Sequence, residues 1–397
     1  MRIALLSYST KPRGGVVHTL ALAEALAAAG QDVTVWTLGR GGDQGFFRRV
    51  DPAVRQRVVP FPDGPPQETV GERVRRSIAM LRAAFDPGPY DVVHAQDCIS
   101  ANAVGRCVRT VHHIDHFTTP ELAACHERAI TEPYAHICVS RTVADELAAG
   151  WGLAAEVIPN GVDHERFAAA AGDATGRAAW AGRIGGRYVL TVGGIEPRKG
   201  SLDLLEAYAL LRRRRPGVRL VIAGGETLFD YREYRARWEA RAAELGVRPL
   251  ILGTVPDAGL PTLVAAADAF AFPSLKEGFG MAAMEALAAG VPLIVRDLPV
   301  LHEVFAGAAR FAATPEDLAG ELDQALTTPD PPRRAAGRTL AARHTWTEAA
   351  RHHLDFYRSL RPTHAPAQRT IIRTQSVPAG QRPKRLVSEG GLEPPRP

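Results

Sequence analysis

The feature that most constrains this chain is an alternation of short β-branched segments with longer segments rich in alanine and leucine, which occurs twice along its length. Short apolar runs bounded by turn residues are typical of strands, and helical runs between them are typical of the crossovers that cover parallel sheets. The pattern therefore predicts an α/β chain with two parallel sheets. Their strands are predicted at residues 2–7, 32–38, 91–95, 107–111, 136–140 and 156–158, then at 187–192, 219–223, 250–252, 269–272 and 292–295.

Two Rossmann-like domains that face a central cleft are the simplest architecture for this pattern. The first domain is placed at residues 1–170 and the second at 171–360, with the last helix free to pack back on the first domain. Residues 168–186, rich in alanine and glycine, are interpreted as the linker. Residues 361–397 hold seven of the 30 prolines and few apolar residues, so they are predicted to form a disordered tail.

The charge distribution argues against a nucleic-acid-binding protein. The chain of 397 residues has a net charge of +5, but the seven basic and two acidic residues after position 360 account for the whole surplus. Residues 1–360 are neutral and lack the positive field that steers proteins toward phosphate polymers. The four cysteines have long, uneven gaps that do not match zinc-ligand spacing, so no metal site is predicted.

The apolar segments are too short to predict a membrane span. The longest runs, 263–272 and 281–289, are interrupted by acidic residues and fall short of the roughly 20 residues that a spanning helix needs. The N-terminal residues do not have the pattern of a signal peptide, so a cytoplasmic protein is expected. The arginine-rich segments at 71–85 and 212–215 are compatible with peripheral membrane contact. The alternative is that cations at a helix end complement the helix dipole.

The first strand–helix junction ends in Gly14 and Gly15, before a helix predicted at 16–29. Glycines allow a ligand to approach the backbone, and the free N–H groups of a helix start favour an anion or a hydroxyl-rich ligand. The G-x-G-x-x-G fingerprint is absent and no acidic residue follows the second strand, which argues against a nicotinamide enzyme. A plain turn at the glycine pair is the alternative.

The second domain opens in the same way, with Arg198 and Lys199 ahead of a helix predicted at 201–213, with Ser201 as its N-cap. Two cations at a helix start can neutralise a diphosphate that the helix dipole already favours. The alternative is that the two cations only form a solvent-exposed helix start, and the glycines around them argue against it. This junction is predicted to bind phosphate.

Residues 273–292 carry two glutamates in a glycine- and alanine-rich setting. Glu277 lies on a loop, and Glu285 lies within the helix that follows. A carboxylate in so apolar a helix needs a partner if it is buried, and ligand hydroxyls are suitable partners. The alternative is an exposed Glu285 on a solvated helix face, as is usual for helix glutamates.

Four segments in this order carry a resemblance to a known family. They are Gly14-Gly15, YDVVHAQD at 90–97, VIPNGVD at 157–163, and VGGIEPRKG together with FPSLKEGFGMAAMEALAAGVP. Over about residues 1–360 the chain resembles the retaining glycosyltransferases of family 4, or glycosyl transferases group 1, whose fold is the GT-B type. The resemblance implies a hexosyltransferase that moves a sugar from a nucleoside diphosphate sugar to a hydroxyl acceptor with retention. It implies no metal and no further cofactor, and no D-x-D motif is present.

The resemblance also implies roles for individual residues. Arg198 and Lys199 match the basic pair that binds the donor diphosphate, Glu277 the carboxylate beside the donor sugar, and Glu285 the carboxylate that binds the nucleotide ribose. Three backbone amides are expected to face sugar or phosphate, those of Gly278, Phe279 and Gly280.

Other assignments stay open at the level of sequence. Residues 110–115 match the place where the family keeps a histidine near the reacting sugar, and His112 is preferred over its neighbour His113. Val255 is a positional candidate for contact with the nucleotide base. Glu303 lies in a segment that lacks the glycine-rich turn of relatives, so a role as a donor ligand is left open.

Two other functions share this architecture. A sugar-nucleotide epimerase would need the same diphosphate site but no acceptor, and a non-catalytic partner subunit would bind the sugar nucleotide without turnover. The acceptor itself, whether a glycan, a lipid or a small molecule, and the donor base are not defined by the sequence.

Overall fold

A computed structural model describes residues 1–65, 67–115, 117, 119–225 and 231–360. The predicted tail at 361–397 lies outside the described residues. Two separate parallel sheets, of seven and six strands, form the centres of the two halves of the chain. The α/β architecture with two Rossmann-like units is therefore confirmed.

The first sheet has the strand order β3-β2-β1-β4-β5-β6-β7, and all of its pairings are parallel. Its strands are Arg2–Leu6 (β1), Asp32–Arg40 (β2), Arg55–Phe61 (β3), Val92–Ala95 (β4), Val108–Val111 (β5), Ala135–Cys138 (β6) and Glu156–Val157 (β7). The order reverses between β1 and β4, and ligands bind beyond the carboxyl ends of strands at such a reversal. The strand β3 was not predicted, because this exposed edge strand carries arginine, glutamine and proline instead of an apolar run.

Helices cover both faces of the first sheet. They are Gly14–Ala28 (α1), Val70–Ala84 (α2), Cys98–Val104 (α3), Pro120–Thr131 (α4) and Arg141–Trp151 (α5). The predicted first helix is confirmed, although it begins at Gly14 and includes both glycines of the junction. Its apolar side packs on the strands through fully buried residues such as Val16 and Leu20.

The second sheet has the order β10-β9-β8-β11-β12-β13 and is also parallel. Its strands are Tyr188–Val192 (β8), Arg219–Ala223 (β9), Leu250–Gly253 (β10), Ala269–Phe272 (β11), Leu293–Arg296 (β12) and Arg310–Ala312 (β13). The five predicted strands are present within one or two residues. The three-residue strand β13 was missed, because so short a segment has no detectable alternation.

The helices of the second half differ from the sequence expectation at two points. They are His164–Gly172 (α6), Ala174–Ile184 (α7), Ser201–Arg214 (α8), Arg232–Glu244 (α9), Leu260–Ala265 (α10), Met281–Ala288 (α11), Pro299–Phe305 (α12), Pro315–Thr327 (α13) and Pro331–Arg343 (α14). The segment interpreted as a loose linker is helical, as α6 and α7, and residue 170 falls within α6. The predicted N-cap Ser201 is instead the first helical residue, because Gly200 caps α8 in a left-handed conformation (φ 62°).

The last described helix, Trp346–Ser359 (α15), packs back on the first sheet's helix α1. Ala350, Leu354 and Tyr357 are buried there, and the Tyr357 hydroxyl is 2.6 Å from Nδ1 of His94. The chain thus crosses between its halves twice. Among the residues that the structure describes, no helix has the length and apolar character needed to cross a membrane.

Candidate active site

The carboxyl edges of the two sheets face one cleft of about 3110 Å³. Every residue selected from the sequence as a site residue lines this cleft. They are Gly14, Gly15, His112 and His113 from the first half, and Arg198, Lys199, Val255, Glu277, Gly278, Phe279, Gly280 and Glu285 from the second.

Glycines allow the two halves to approach closely across the cleft. A Cβ atom on Gly278 would lie 1.6 Å from the carbonyl oxygen of His112, so only glycine fits at this contact. Gly14 faces Met281 at the start of α11, and a Cβ on Gly15 would lie 3.9 Å from Nε2 of His112. The glycine pair thus lies at ordinary contact distance from Met281 of α11 and from His112, and its role as a ligand loop stays a prediction.

The basic pair contacts Glu277 directly. Nη1 of Arg198 lies 3.0 Å from Oε1 of Glu277, and the Lys199 ammonium donates to the same oxygen. Nη2 of Arg198 also lies 3.3 Å from Glu196, a buried glutamate that the sequence analysis did not select. Both cations are therefore paired with carboxylates.

The charges of this cluster set the ionisation of Glu277. Burial disfavours its charged form, but Lys199 and Arg198 outweigh burial and lower the pKa of Glu277 to about 2. Burial and the neighbouring Arg198 lower the pKa of Lys199. The side chains of Arg198 and Lys199 are each 20% exposed, so both remain accessible to a ligand in the cleft.

Backbone contacts hold the two ligand loops against each other. The amide of Leu275 donates to the carbonyl of Arg198 at 2.8 Å, and Nη1 of Arg198 donates to the carbonyl of Lys276 at 3.2 Å. Gly200 has a positive φ, and a Cβ there would lie 2.2 Å from the carbonyl oxygen of Pro273. The glycine of the PRKG segment thus lets the basic pair reach Glu277.

Glu285 lies on the cleft side of α11 and is partly buried. Among the described residues, none donates a hydrogen bond to its carboxylate. Burial raises the pKa of Glu285 to about 8; nearby Asp257 and Asp163 add to the rise, and Arg166 opposes it. Arg166 is engaged with Asp257 at 2.8 Å and does not pair with Glu285. The alternative of a fully exposed helix face is wrong, and a partly buried carboxylate with no donor among the described residues faces the cleft.

The two histidines differ in their contacts. Burial and the nearby Arg109 hold the pKa of His112 well below its ordinary value, so its ring is neutral. The ring packs edge-on against His18 with centroids 4.8 Å apart, and its Nε2 is buried with no hydrogen-bond partner among the described residues. His113 instead lies 3.2 Å from Asp115, another cleft residue that the sequence analysis did not select.

Glu303 contacts the first half of the molecule at the N-terminus of α5. Its carboxylate accepts hydrogen bonds from the amides of Arg141 and Thr142, at 2.6 and 2.8 Å, and from the Thr142 hydroxyl at 2.7 Å. A carboxylate at a helix start satisfies free N–H groups and complements the dipole. The residue left open as a donor ligand is therefore engaged in an interdomain contact.

Two parallel-sheet units with a cation pair and carboxylates at their shared cleft define a GT-B glycosyltransferase. The model of Glycosyltransferase Family 4 matches residues 12–166, and the model of Glycosyl transferases group 1 matches residues 177–352. The chain is 30% identical to the glycogen synthase of Mycobacterium tuberculosis over 87% of this chain and 90% of that protein. The chain belongs to this glycosyltransferase family.

Other relatives and structures agree with this assignment. The D-inositol 3-phosphate glycosyltransferase of Salinispora arenicola is 30% identical, over 74% of this chain and 76% of that protein. The crystal structure of Anabaena HepE in complex with UDP and glucose has a TM-score of 0.70 and 19% identity, and the match covers 91% of this chain and all of that one. That similarity supports the fold.

Proposed function

We propose that this protein transfers a sugar from a nucleoside diphosphate sugar to a hydroxyl acceptor with retention at the anomeric carbon. The observation that carries the proposal is the triad of Arg198, Lys199 and Glu277 beside the unpartnered Glu285 in one cleft. A glycosyltransferase donor presents a diphosphate to cations and ribose hydroxyls to a carboxylate. The UDP complex of HepE is in keeping with such a donor.

Arg198 and Lys199 would hold the diphosphate and stabilise it as it leaves. The bond between the anomeric carbon and the phosphate oxygen weakens in the transition state, and negative charge develops on that oxygen. Two fixed cations at the start of α8 are positioned to offset this charge without reorganisation. Because these protein cations can supply the charge stabilisation, we propose that no metal ion is required.

Glu277 would act by its charge. Two cations share its Oε1 oxygen, which makes it a weak nucleophile, while its low pKa keeps it ionised beside a sugar that develops positive charge. For retention we propose front-face displacement. The acceptor oxygen bonds to the anomeric carbon on the face from which the diphosphate departs, and the acceptor proton passes to the departing phosphate oxygen. His112, neutral and with a free Nε2, would contact the reacting sugar from the first domain.

The nucleoside would lie along α11. Two ribose hydroxyls can donate to Glu285 and so provide the partners that its carboxylate lacks. Val255, which follows β10 and is half-buried in the cleft, would contact the base. The acceptor is not transferred from relatives, because their names point to acceptors as different as glycogen and inositol phosphate.

The test is nucleotide binding by the Lys199→Ala variant. We expect UDP, GDP or ADP to raise the melting temperature of the wild-type protein, since binding to the native state stabilises it. Lys199→Ala should lose most of that increase and most turnover, because a charge-assisted contact to phosphate contributes about 1.5–3 kcal/mol. Lys11→Ala is a matched control, since Lys11 is 51% exposed and pairs with Asp43. An unchanged nucleotide effect in Lys199→Ala would overturn the site assignment.

Product analysis separates the rival functions. Proton NMR of the product should show the donor's own anomeric configuration, and inversion would refute retention. Isomerisation of the donor sugar without any acceptor would support the epimerase, and nucleotide binding without transfer or hydrolysis would support a non-catalytic subunit.

A further inference from the structure

A second polar cluster lies in the cleft on the first domain, at the carboxyl ends of three neighbouring strands. Arg40 ends β2, Tyr8 follows β1, and Gln96 follows β4. Arg13, which precedes α1, completes the cluster through its contact with Tyr8. His112 follows β5, the next strand along the same edge. The cluster therefore adjoins the reaction site, on the domain opposite the donor cations.

Gln96 is the most unusual member of this cluster. Its side chain is 1% exposed and lines the cleft, yet neither Oε1 nor Nε2 has a hydrogen-bond partner among the described residues. Its backbone amide donates to the Leu6 carbonyl at 2.9 Å, so the residue is held in place. A buried polar group left without a partner has lost the hydrogen bonds that water gives it in the unfolded chain. A bound hydroxyl compound would satisfy both ends of the amide.

The two arginines of this cluster, Arg13 and Arg40, form no ion pair with any described carboxylate. Arg40 donates to the Ser77 hydroxyl at 2.8 Å and lies over the Phe61 ring. Arg13 donates to the Tyr8 hydroxyl at 2.8 Å, and its buried Nε has no hydrogen-bond partner. By contrast, Arg76 in the same region is neutralised by Glu68 at 2.6 Å. Within the described part of the chain, neither Arg13 nor Arg40 therefore has a carboxylate in ion-pair contact.

Asp97, the carboxylate whose charge acts on Arg40, is already committed to hydrogen bonds within the fold. Asp97 accepts hydrogen bonds from the amide and hydroxyl of Ser100, at 2.8 and 2.9 Å, and from the Tyr8 amide at 3.0 Å. Burial lowers the pKa of Arg40 to about 10, with repulsion from Arg73 and Arg13 adding to the effect. Two neighbouring guanidinium groups, those of Arg13 and Arg40, favour an anion with more than one negative charge, and guanidinium groups bind phosphate bidentately.

We propose that the acceptor carries a phosphate group, bound by Arg13 and Arg40, with Gln96 bonding a hydroxyl of its polyol part. The inference rests on the proposed function, since it names the substrate class of the same cleft. The phosphate site lies on the first domain and the diphosphate site on the second, so one variant can remove either without the other. The phosphate can belong to a free sugar or polyol phosphate or to a lipid headgroup.

Inorganic phosphate probes the site without turnover. In the Lys199→Ala background, which weakens the donor site, phosphate should still raise the melting temperature. Adding Arg13→Gln or Arg40→Gln should abolish that increase, whereas adding Arg57→Gln, a change at an exposed arginine on β3, should not. A phosphate effect that disappears with Lys199→Ala alone and is unchanged in Arg13→Gln and Arg40→Gln would overturn the proposal. Because no nucleotide is used, this outcome is distinct from a failure of the proposed donor site.

Matched acceptors then test selectivity, with nucleoside diphosphate release as the readout. Glucose is compared with glucose 6-phosphate, and inositol with inositol 1-phosphate; phosphatidylinositol vesicles are compared with phosphatidylcholine vesicles to distinguish a lipid source. We expect a phosphorylated acceptor to be preferred at least tenfold. Arg13→Gln should raise its KM about ten- to a hundredfold, with kcat and the donor KM little changed, since a charged hydrogen bond contributes about 1.5–3 kcal/mol.

A variant at another residue is needed as well. Arg40 packs on Phe61, so Arg40→Gln can lose activity because the domain is destabilised. Gln96→Glu adds a negative charge to the same cluster, so it should weaken binding of the phosphorylated acceptor more than binding of its neutral counterpart. Equal use of neutral and phosphorylated acceptors by the wild type, or equal losses for both in Arg13→Gln and Gln96→Glu, would overturn the proposal.

Discussion

Two glutamates of one loop–helix segment have opposite ionisation in this cleft. Two neighbouring cations outweigh burial and lower the pKa of Glu277 to about 2, while burial without a cationic partner raises that of Glu285 to about 8. Environments that separate the pKa values of nearby groups are typical of functional sites. At neutral pH the free protein therefore holds one charged and one largely protonated carboxyl group.

We predict that Glu285→Gln removes a pH dependence of stability. Between pH 4.5, the ordinary pKa of a glutamate, and pH 8, the native state holds a proton that the unfolded chain has lost. The free energy of unfolding should therefore fall as pH rises through this window, by up to about 1.4 kcal/mol per pH unit. Urea titrations at pH 5, 6.5 and 8 should measure this effect. The free energy of unfolding of Glu285→Gln should increase relative to that of the wild type as pH rises.

Two further glutamates serve as comparisons for that measurement. Glu316→Gln, at an exposed position of α13, should follow the wild-type pH dependence. Glu277→Gln should alter a different window, because the lowered pKa of Glu277 contributes stability above pH 4.5 that is lost as pH falls toward 2. A Glu285→Gln variant that kept the full wild-type slope would contradict the prediction.

The residues that the sequence analysis found are those with a local signature. Arg198, Lys199, Glu277 and Glu285 lie in glycine-rich junctions that mark the ends of strands. Arg40 has no such signature, because it only ends a strand. Gln96 lies in the segment YDVVHAQD at 90–97, but nothing local to that segment indicates an acceptor contact for its side chain. Their proximity depends on the order of β2, β1 and β4 in the sheet, which arises from long-range pairing.

At the scale of elements, α12 is joined to α5 across the cleft. Glu303 at the end of α12 accepts three hydrogen bonds from the first turn of α5, and no other site residue bonds to that turn within the described part of the chain. Glu303 is exposed, so solvent and salt weaken this contact. The contact is therefore suited to stabilise a closed cleft that can still open to release products.

We predict that Glu303→Ala shifts the molecule toward an open cleft. A carboxylate at a helix start contributes about 0.3–1 kcal/mol, so nucleotide affinity should fall about two- to fivefold. Small-angle scattering of the nucleotide-bound protein should show a larger radius of gyration in the variant. Thr142→Ala removes only the hydroxyl donor, and the two changes together should be less than additive. Identical scattering and affinity in Glu303→Ala and wild type would contradict this role.

Elements with a strong periodic pattern were predicted from sequence, and elements that depend on partners were not. The buried strands β8, β9 and β11 were predicted almost to the residue because their apolar runs are bounded by turns. The strand β3 was missed because it is held by pairing with β2. The supposed linker became α6 and α7 because its alanines favour a helix once they can pack on α10 and α11.

At the scale of the molecule, α15 connects the two halves, because it follows the second domain in sequence and packs on the first. It leaves the second domain after α14 and lies against α1, where it buries Ala350, Leu354 and Tyr357. Trp346 packs edge-on against His18, which in turn packs against His112 with centroids 4.8 Å apart. The helix α15 thus supports the wall of the cleft that carries His112, although it lies more than 200 residues later in the sequence.

We predict that truncation after residue 360 preserves turnover, while truncation after residue 343 does not. The shorter chain loses α15 and exposes its apolar contacts on α1, so it should aggregate or melt at a much lower temperature. The longer chain loses only the segment that carries the +5 charge surplus, which lies outside the family matches at residues 12–166 and 177–352. Turnover, melting temperature and gel filtration of both truncated proteins test the prediction.

A large loss of turnover after removal of residues 361–397 alone would show that the basic segment contributes to catalysis, and a stable, active chain ending at residue 343 would show that α15 is dispensable.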